Sequence, residues 1–139
     1  MIRHTFLTVA LFLFCCNAVA GKMAHHHSHA KSLDVSEAEN IPEVKVIAYR
    51  DTMKGWNLHI ATKHFRFSPE NVNKAHKEGE GHGHLYIDGK KLTRIYSHWY
   101  YLSDLSPGKH KITVSLNANN HASLAVHGKK IVDEIEVIQ

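Results

Sequence analysis

Short β-rich runs separated by turn signals fill most of the chain, and they restrict its possible folds more than any other feature. In "GWNLHIAT", Trp56, Leu58 and Ile60 share one face, because successive side chains of a strand point to opposite faces. Asp88-Gly89 is a strong turn signal between two such runs. The pattern predicts an all-β fold of about seven strands, an antiparallel β-sandwich of the immunoglobulin-like or cupredoxin-like kind. A partly open barrel of similar size is the alternative.

The first residues of the chain have the pattern of an export signal. Arg3 precedes an apolar run from Thr5 to Cys16, and Ala18-Val19-Ala20 fits the small-residue rule for cleavage. The apolar run has about a dozen residues, whereas roughly 20 are needed to span a bilayer. We therefore expect residues 1–20 to be a signal peptide, with no transmembrane segment after cleavage, and the mature protein to lie in the periplasm or to be secreted.

The whole chain has 139 residues, enough for one domain and too few for two of ordinary size. Residues 21–40 lack hydrophobic periodicity, which predicts a flexible, histidine-rich lead-in. Residues 41–139 are predicted to form the β-sandwich domain. A lipoprotein anchored at Cys15 or Cys16 is the alternative to a free mature protein, although bulky Phe residues precede Cys15 where such sites usually carry small ones.

The chain has 2 cysteines, both inside the predicted signal, and 14 histidines. A mature protein without thiols excludes a cysteine nucleophile, zinc bound by thiolates and a blue-copper centre of the usual His/Cys kind. The formal net charge is +4 with neutral histidines. Because the lysines are spread out rather than clustered in a basic patch, we expect no nucleic-acid partner.

Two histidines, His82 and His84, lie one residue apart in "KEGEGHGHLYIDGKK", at the start of an apparent strand. Side chains two positions apart on a strand point to the same face, so both rings can reach one metal ion. The alternative is an edge strand whose polar face is in water. His121, in the polar segment "NANNHAS", and His59, on the side of its strand opposite Trp56, would complete a set of three or four imidazole ligands for Cu(II) or Zn(II).

Other side chains extend this candidate site. Asn119, or its neighbours Asn117 and Asn120, could accept a hydrogen bond from the ring nitrogen that does not bind metal and so orient a ligand. The "HHHSH" segment offers imidazoles that could capture a metal ion on a flexible arm. The alternative is a solvated polar tail without a task. The histidines of this segment are His25, His26, His27 and His29.

Three segments, "GWNLHIATKHFRFSPENVN", "GHGHLYIDGKKLTRIYSHWYYL" and "LNANNHASLAVHGKKI", resemble a group of small exported bacterial β-sandwich proteins that are mostly uncharacterised. The likeness covers residues 42–135 and includes the patterns GHxHLYxDGKK, RxYxxWxxL and LNxNxH. Some of these proteins are described as periplasmic and metal- or copper-associated. The resemblance implies a similar metal association here, while the "HHHSH" segment lies outside it. The matching positions are His59, His82, His84, Asn119 and His121.

These observations favour a periplasmic protein that binds Cu(II), or else Zn(II), in metal delivery, buffering or resistance, with a periplasmic metal-handling protein as a partner. Imidazole must be unprotonated to bind, so we expect the affinity to fall as the pH drops through the imidazole range. The alternative is an immunoglobulin-like interaction module that binds a protein or a cell-wall polymer through the aromatic strip in "SHWYYLS" and through lysines. We expect no enzymatic activity, since Glu78 and Glu80 lie in a glycine-rich loop and Asp88 in a turn.

Overall fold

The computed structural model describes residues 31–139, which form an all-β sandwich of two sheets. The predicted fold class is confirmed, but the described residues contain 11 strands and one short 3₁₀ helix, Pro69–Asn71. The count is higher than predicted because several strands have only two to four residues and show no periodicity. The strands are β1 (Ser32–Asp34), β2 (Glu43–Arg50), β3 (Trp56–Lys63), β4 (Arg66–Phe67), β5 (Glu80–Ile87), β6 (Lys90–Ile95), β7 (Trp99–Leu102), β8 (Lys109–Ala118), β9 (Ser123–Val126), β10 (Lys129–Lys130) and β11 (Val132–Ile138).

The larger sheet has eight strands, in the order β1-β9-β8-β5-β4, with β10 beside β9, β11 beside β8 and β6 beside β5. The smaller sheet has the order β2-β3-β7. Neighbouring strands are antiparallel except for two short parallel pairs, β1 with β9 and β4 with β5. β5 therefore lies near the centre of the larger sheet, between β8 and β6 along most of its length.

The core lies between the two sheets, because apolar and polar residues alternate along the central strands. On β3, Leu58 and Ile60 are fully buried between the sheets. On β8, Ile112, Val114 and Leu116 are fully buried against them. The residues between these positions consequently point to the outer faces of the sandwich.

The inner face of β5 needs glycine because its neighbours approach the backbone closely. A Cβ atom at Gly81 would overlap the carbonyl oxygen of Asn117 and would lie 3.1 Å from the ring of Phe65. A Cβ atom at Gly83 would lie 3.3 Å from the Cβ atom of Ile95. The larger side chains at the start of this strand are therefore those of its outer face.

The folded domain begins upstream of residue 41. β1 pairs with β9, and Val35 is buried in the core at 8% exposure. The structure therefore moves residues 32–35 from the predicted lead-in into the domain. Within the described part of the chain, none of the helical structure is long and apolar enough to span a membrane.

Candidate metal centre

Three histidine rings meet on the outer face of the larger sheet. His82 and His84 lie on β5, and His121 lies in the turn between β8 and β9. One nitrogen from each ring lies within 4.8 Å of the corresponding nitrogens of the other two. The structure thus brings together three of the four histidines that were predicted to share a metal ion.

The distances between these nitrogens suit a shared ion. Nε2 of His82 lies 3.0 Å from Nε2 of His84 and 3.2 Å from Nδ1 of His121. With metal–nitrogen bonds of about 2.0 Å, two ligands of a tetrahedral ion are about 3.3 Å apart. Two of the three nitrogen pairs therefore already have nearly the separation that a bound ion requires.

The turn that presents His121 has an uncommon backbone conformation. The φ angle of His121 is 68°, in the left-handed region that residues with a Cβ atom rarely adopt. Its N–H donates to the carbonyl of Ala118 at 2.9 Å, and Asn117 Nδ2 donates to its carbonyl at 3.4 Å. These contacts hold the ring over His82. Strained residues of this kind are concentrated at functional sites.

Asn73 holds the nitrogen of His121 that faces away from the cluster. Nε2–H of His121 donates to Oδ1 of Asn73 at 2.6 Å, so Nδ1 keeps its lone pair toward His82. Metal-binding histidines commonly donate their other ring N–H in this way. Asn73 was not identified from the sequence because it lies 48 residues from His121, in a loop without a distinguishing pattern.

Asn119 was predicted to hydrogen-bond a ring nitrogen, but it acts on His121 indirectly, through Asn73. Its carbonyl accepts a hydrogen bond from the backbone N–H of Asn73 at 2.9 Å. Its side-chain Oδ1 accepts from the hydroxyl of Ser68 at 2.9 Å in a buried position. Asn119 therefore positions Asn73, which in turn contacts His121.

Lys91 and Tyr86 surround the ring of His84. Lys91 Nζ lies 3.0 Å from Nε2 of His84, and the hydroxyl of Tyr86 lies 3.4 Å from Nδ1. An ammonium group only donates, so Nε2 of His84 is the acceptor and its hydrogen lies on Nδ1. Nε2–H of His82 can then donate to Nδ1 of His121, 3.2 Å away. Nδ1 of His82 is buried without a hydrogen-bond partner among residues 31–139 and can take this hydrogen when Nε2 binds an ion.

Burial keeps the rings of the cluster neutral. His82 is 1% exposed and His84 is 7% exposed. Desolvation, together with nearby positive groups, lowers the pKa of His82 to about 4 and that of His84 to about 3. Desolvation also lowers the pKa of His121. The rings of His82 and His84 are therefore neutral at pH 7, and protons compete for these two rings only below the ordinary imidazole range that the sequence suggested.

His59 does not belong to the cluster. Because Leu58 and Ile60 face the core, His59 points outward from the smaller sheet, where its ring stacks on Trp99 at 4.5 Å between centroids. The cluster lies on the outer face of the other sheet, and packed sheets are about 10 Å apart. The structure therefore corrects the prediction that His59 completes the ligand set. Period-2 alternation shows which face of a strand a residue occupies but not which sheet the strand joins.

The histidines predicted to capture metal on a flexible arm lie outside the described residues. Their role stays a prediction, drawn from composition alone. They are His25, His26, His27 and His29.

Glu80 fastens the loop that carries Asn73. Its carboxylate accepts hydrogen bonds from Arg66 at 2.7 Å, Lys77 at 2.8 Å and Asn71 at 2.8 Å. The Lys77 contact, followed by that of Arg66, lowers the pKa of Glu80 to about 2. Glu80 therefore acts as a fixed negative anchor at the start of β5, and not as the loop residue that the sequence suggested.

Comparison of the chain with models of known protein families, with curated proteins and with solved structures finds no match. The resemblance to exported bacterial β-sandwich proteins therefore stays a prediction. The function is inferred from the histidine cluster itself.

Proposed function

We propose that this protein binds a divalent transition-metal ion through Nε2 of His82, Nε2 of His84 and Nδ1 of His121. The observation that carries the proposal is the meeting of three imidazoles within 4.8 Å, of which those of His82 and His84 are buried and that of His121 is partly exposed. Two of the rings stand on a central strand, and Asn73 orients the third. A site assembled in advance loses little conformational freedom when the ion binds, which favours affinity.

Cu(II) is the ion that we favour, with Zn(II) as the alternative. Neutral imidazole suits both ions, and a nitrogen site generally binds Cu(II) more tightly than Zn(II). Three protein ligands leave a coordination position free for a further ligand. A site of this kind suits a protein that holds an ion and passes it to another protein, so we assign it to metal delivery, buffering or resistance.

Export from the cytoplasm is part of the proposal. The signal-like pattern of residues 1–20 and the resemblance to exported proteins support it. The "HHHSH" segment follows the expected cleavage position closely and would serve as a collecting arm for the domain. A periplasmic metal-handling protein would be the natural partner.

We assign binding and not catalysis to this site. Glu80 is paired with Arg66 and Lys77, and Asp88 accepts a hydrogen bond from Nδ1 of His110 at 2.7 Å. These contacts lower the pKa of Glu80, and a backbone hydrogen bond with the His110 contact lowers that of Asp88. Both carboxylates are thus weak bases, already engaged in structural contacts.

Metal titration of matched variants tests the proposal. The parent chain for this test carries alanine at positions 25, 26, 27 and 29, so that only the domain is measured. His121→Asn is the decisive variant, because Asn tolerates the left-handed backbone of the turn and lacks an imidazole. We expect the parent to bind one Cu(II) or Zn(II) ion and His121→Asn to bind it at least about tenfold more weakly.

His59→Phe is the matched control for this titration. Phe keeps the stacking on Trp99 and removes an imidazole that lies on the opposite outer face. Its metal affinity should equal that of the parent. Equal affinities of His121→Asn and the parent, with both folded by circular dichroism, would contradict the proposal.

A second function is favoured by an exposed aromatic surface on the smaller sheet. Tyr49, Trp99 and Tyr101 are 50%, 55% and 50% exposed, and the rings of Tyr49 and Trp99 lie 5.9 Å apart. Exposed apolar patches often mark interaction sites. We propose that this surface binds a cell-wall polymer or a protein.

Binding of the chain to insoluble cell-wall material tests the polymer. Retention of the wild-type chain that is abolished by Trp99→Ala would support this function. No retention of the wild-type chain would contradict binding to the polymer.

A further inference from the structure

We infer that the metal ion is held together with a small anion, a carboxylate or an oxyanion, that binds both the free coordination position and the cations Lys91 and Arg94. This inference rests on the proposed metal function and names the second ligand of the same site.

Lys91 and Arg94 stand on β6, directly beside the histidines of β5. Arg94 is the cross-strand partner of His84, so the two side chains share the outer face of the sheet. A register shift between Leu85 and Tyr86 makes Lys91 the partner of Tyr86 and brings it to the same face. Lys91 Nζ lies 3.0 Å from Nε2 of His84, the nitrogen proposed to bind metal.

The cluster has no negative charge of its own among the described residues. The group of side chains that could hold an ion consists of histidines alone, and an imidazole ring supplies no negative charge. Within residues 31–139, neither Lys91 nor Arg94 forms a salt bridge with a carboxylate. A divalent ion would therefore enter a site that already has two cationic neighbours and no balancing charge.

An anion removes this conflict. Like charges a few ångströms apart repel strongly where water is partly excluded, so the two cations oppose a bare metal ion. An anion with two oxygens can bind the metal through one and accept charge-assisted hydrogen bonds through the other. The planar guanidinium of Arg94 matches such anions, and Lys91 adds a compact positive charge. Lys91 and Arg94, which disfavour a bare metal ion at this site, would thus bind the anion that accompanies the metal ion.

Azide is a suitable probe of this anion site, because an azide ion bound to Cu(II) produces a charge-transfer absorption band. Azide would be titrated into the Cu(II)-loaded chain that carries alanine at positions 25, 26, 27 and 29. We expect Lys91→Met/Arg94→Met to weaken azide binding about tenfold, because two charge-assisted hydrogen bonds are lost. Both side chains are exposed at the rim of the cluster, so the variant leaves the core unchanged.

Lys90→Met is the matched control, since Lys90 pairs with Ile87 on the inner-face register and carries the same charge. Lys90→Met should bind azide as tightly as its parent. Lys91→Met and Arg94→Met, made singly, should each lose part of the azide affinity. Equal azide affinity in the double variant and the parent would overturn the inference and leave the metal site intact. An effect confined to Lys91→Met would also overturn it, because the lysine would then act without the arginine. A parent that binds no Cu(II) would refute the proposed function itself.

Discussion

Asn73 controls the orientation of the His121 ring through a single hydrogen bond. Its φ angle is 66°, so Asn73→Gly keeps the backbone conformation and removes only the amide that accepts from His121. We expect this variant to bind metal about 10- to 100-fold more weakly. Competition with a chelator of known affinity measures the change.

Asn73→Asp is the companion variant, because a carboxylate also accepts the N–H of His121. It should retain or exceed the parent's metal affinity, since its negative charge strengthens the ligand. Metal binding by Asn73→Gly as tight as that of the parent would contradict the proposed role of Asn73 in orienting His121.

Single residues also show what the sequence could predict about the site. His82 and His84 could be paired from the sequence, because residues two apart on a strand must share a face. His121 could be chosen from its polar surroundings, although only the structure shows its contact with β5. His59 shares the outward orientation but belongs to the other sheet, and alternation carries no information about sheet membership.

At the scale of elements, β5 can present its histidines only because its inner face carries glycine. A side chain at Gly81 meets the backbone carbonyl of Asn117, which cannot move without breaking the β5–β8 pairing. We expect Gly81→Ala to lower the free energy of unfolding by about 1–3 kcal/mol, as overpacking usually does. Urea denaturation of the metal-free protein measures this loss.

Gly83→Ala is the control for this position on the same strand. The nearest atoms there belong to the side chains of Ile95 and Val114, at 3.3 and 3.6 Å, and side chains can adjust. The loss of stability should therefore be smaller than for Gly81→Ala. A Gly81→Ala protein as stable as the parent would contradict the packing described for this strand.

The long strands could be predicted from the sequence and the short ones could not. β2, β3 and β8 each have 8 to 10 residues, enough for alternation to show which face is buried. β1 has three residues and pairs with β9, and the paired residues Ser32 and Ser123 lie 91 residues apart in the sequence. No local pattern encodes such a pairing, so the sequence alone places residues 32–35 in the lead-in.

For the whole molecule, the metal-free protein should lose stability as the pH falls below 6.5. The pKa values of His82 and His84 are lowered from 6.5 to about 4 and about 3 by folding. Between these values the unfolded chain binds more protons than the folded chain, so acid favours unfolding. The free energy of unfolding, measured by urea denaturation with a chelator present, should decrease as the pH falls from 6.5 toward 4.

His82→Gln/His84→Gln isolates the part of this dependence that belongs to the cluster. The comparison is needed because the carboxylates of Glu80 and Asp88, whose pKa values are also lowered by folding, likewise lose their stabilising contribution in acid. The double variant should lose less stability than the parent over the same pH range. Equal slopes would show that burial does not hold these two rings neutral.

The sandwich places two candidate surfaces on opposite sides of one core. The histidine cluster lies on the outer face of the larger sheet, and the exposed rings of Tyr49, Trp99 and Tyr101 belong to the smaller one. Under the two proposals, the domain would hold a metal ion on one side and contact a partner with the other. The two functions can therefore be tested with separate sets of variants.

The most direct test of the metal proposal is a crystal structure of the Cu(II)-loaded protein, with anomalous scattering recorded at the copper absorption edge. We predict an anomalous peak about 2.0 Å from Nε2 of His82, Nε2 of His84 and Nδ1 of His121, as imidazole coordination requires. An ion bound elsewhere on the domain, or none near these three nitrogens in a folded protein, would contradict it.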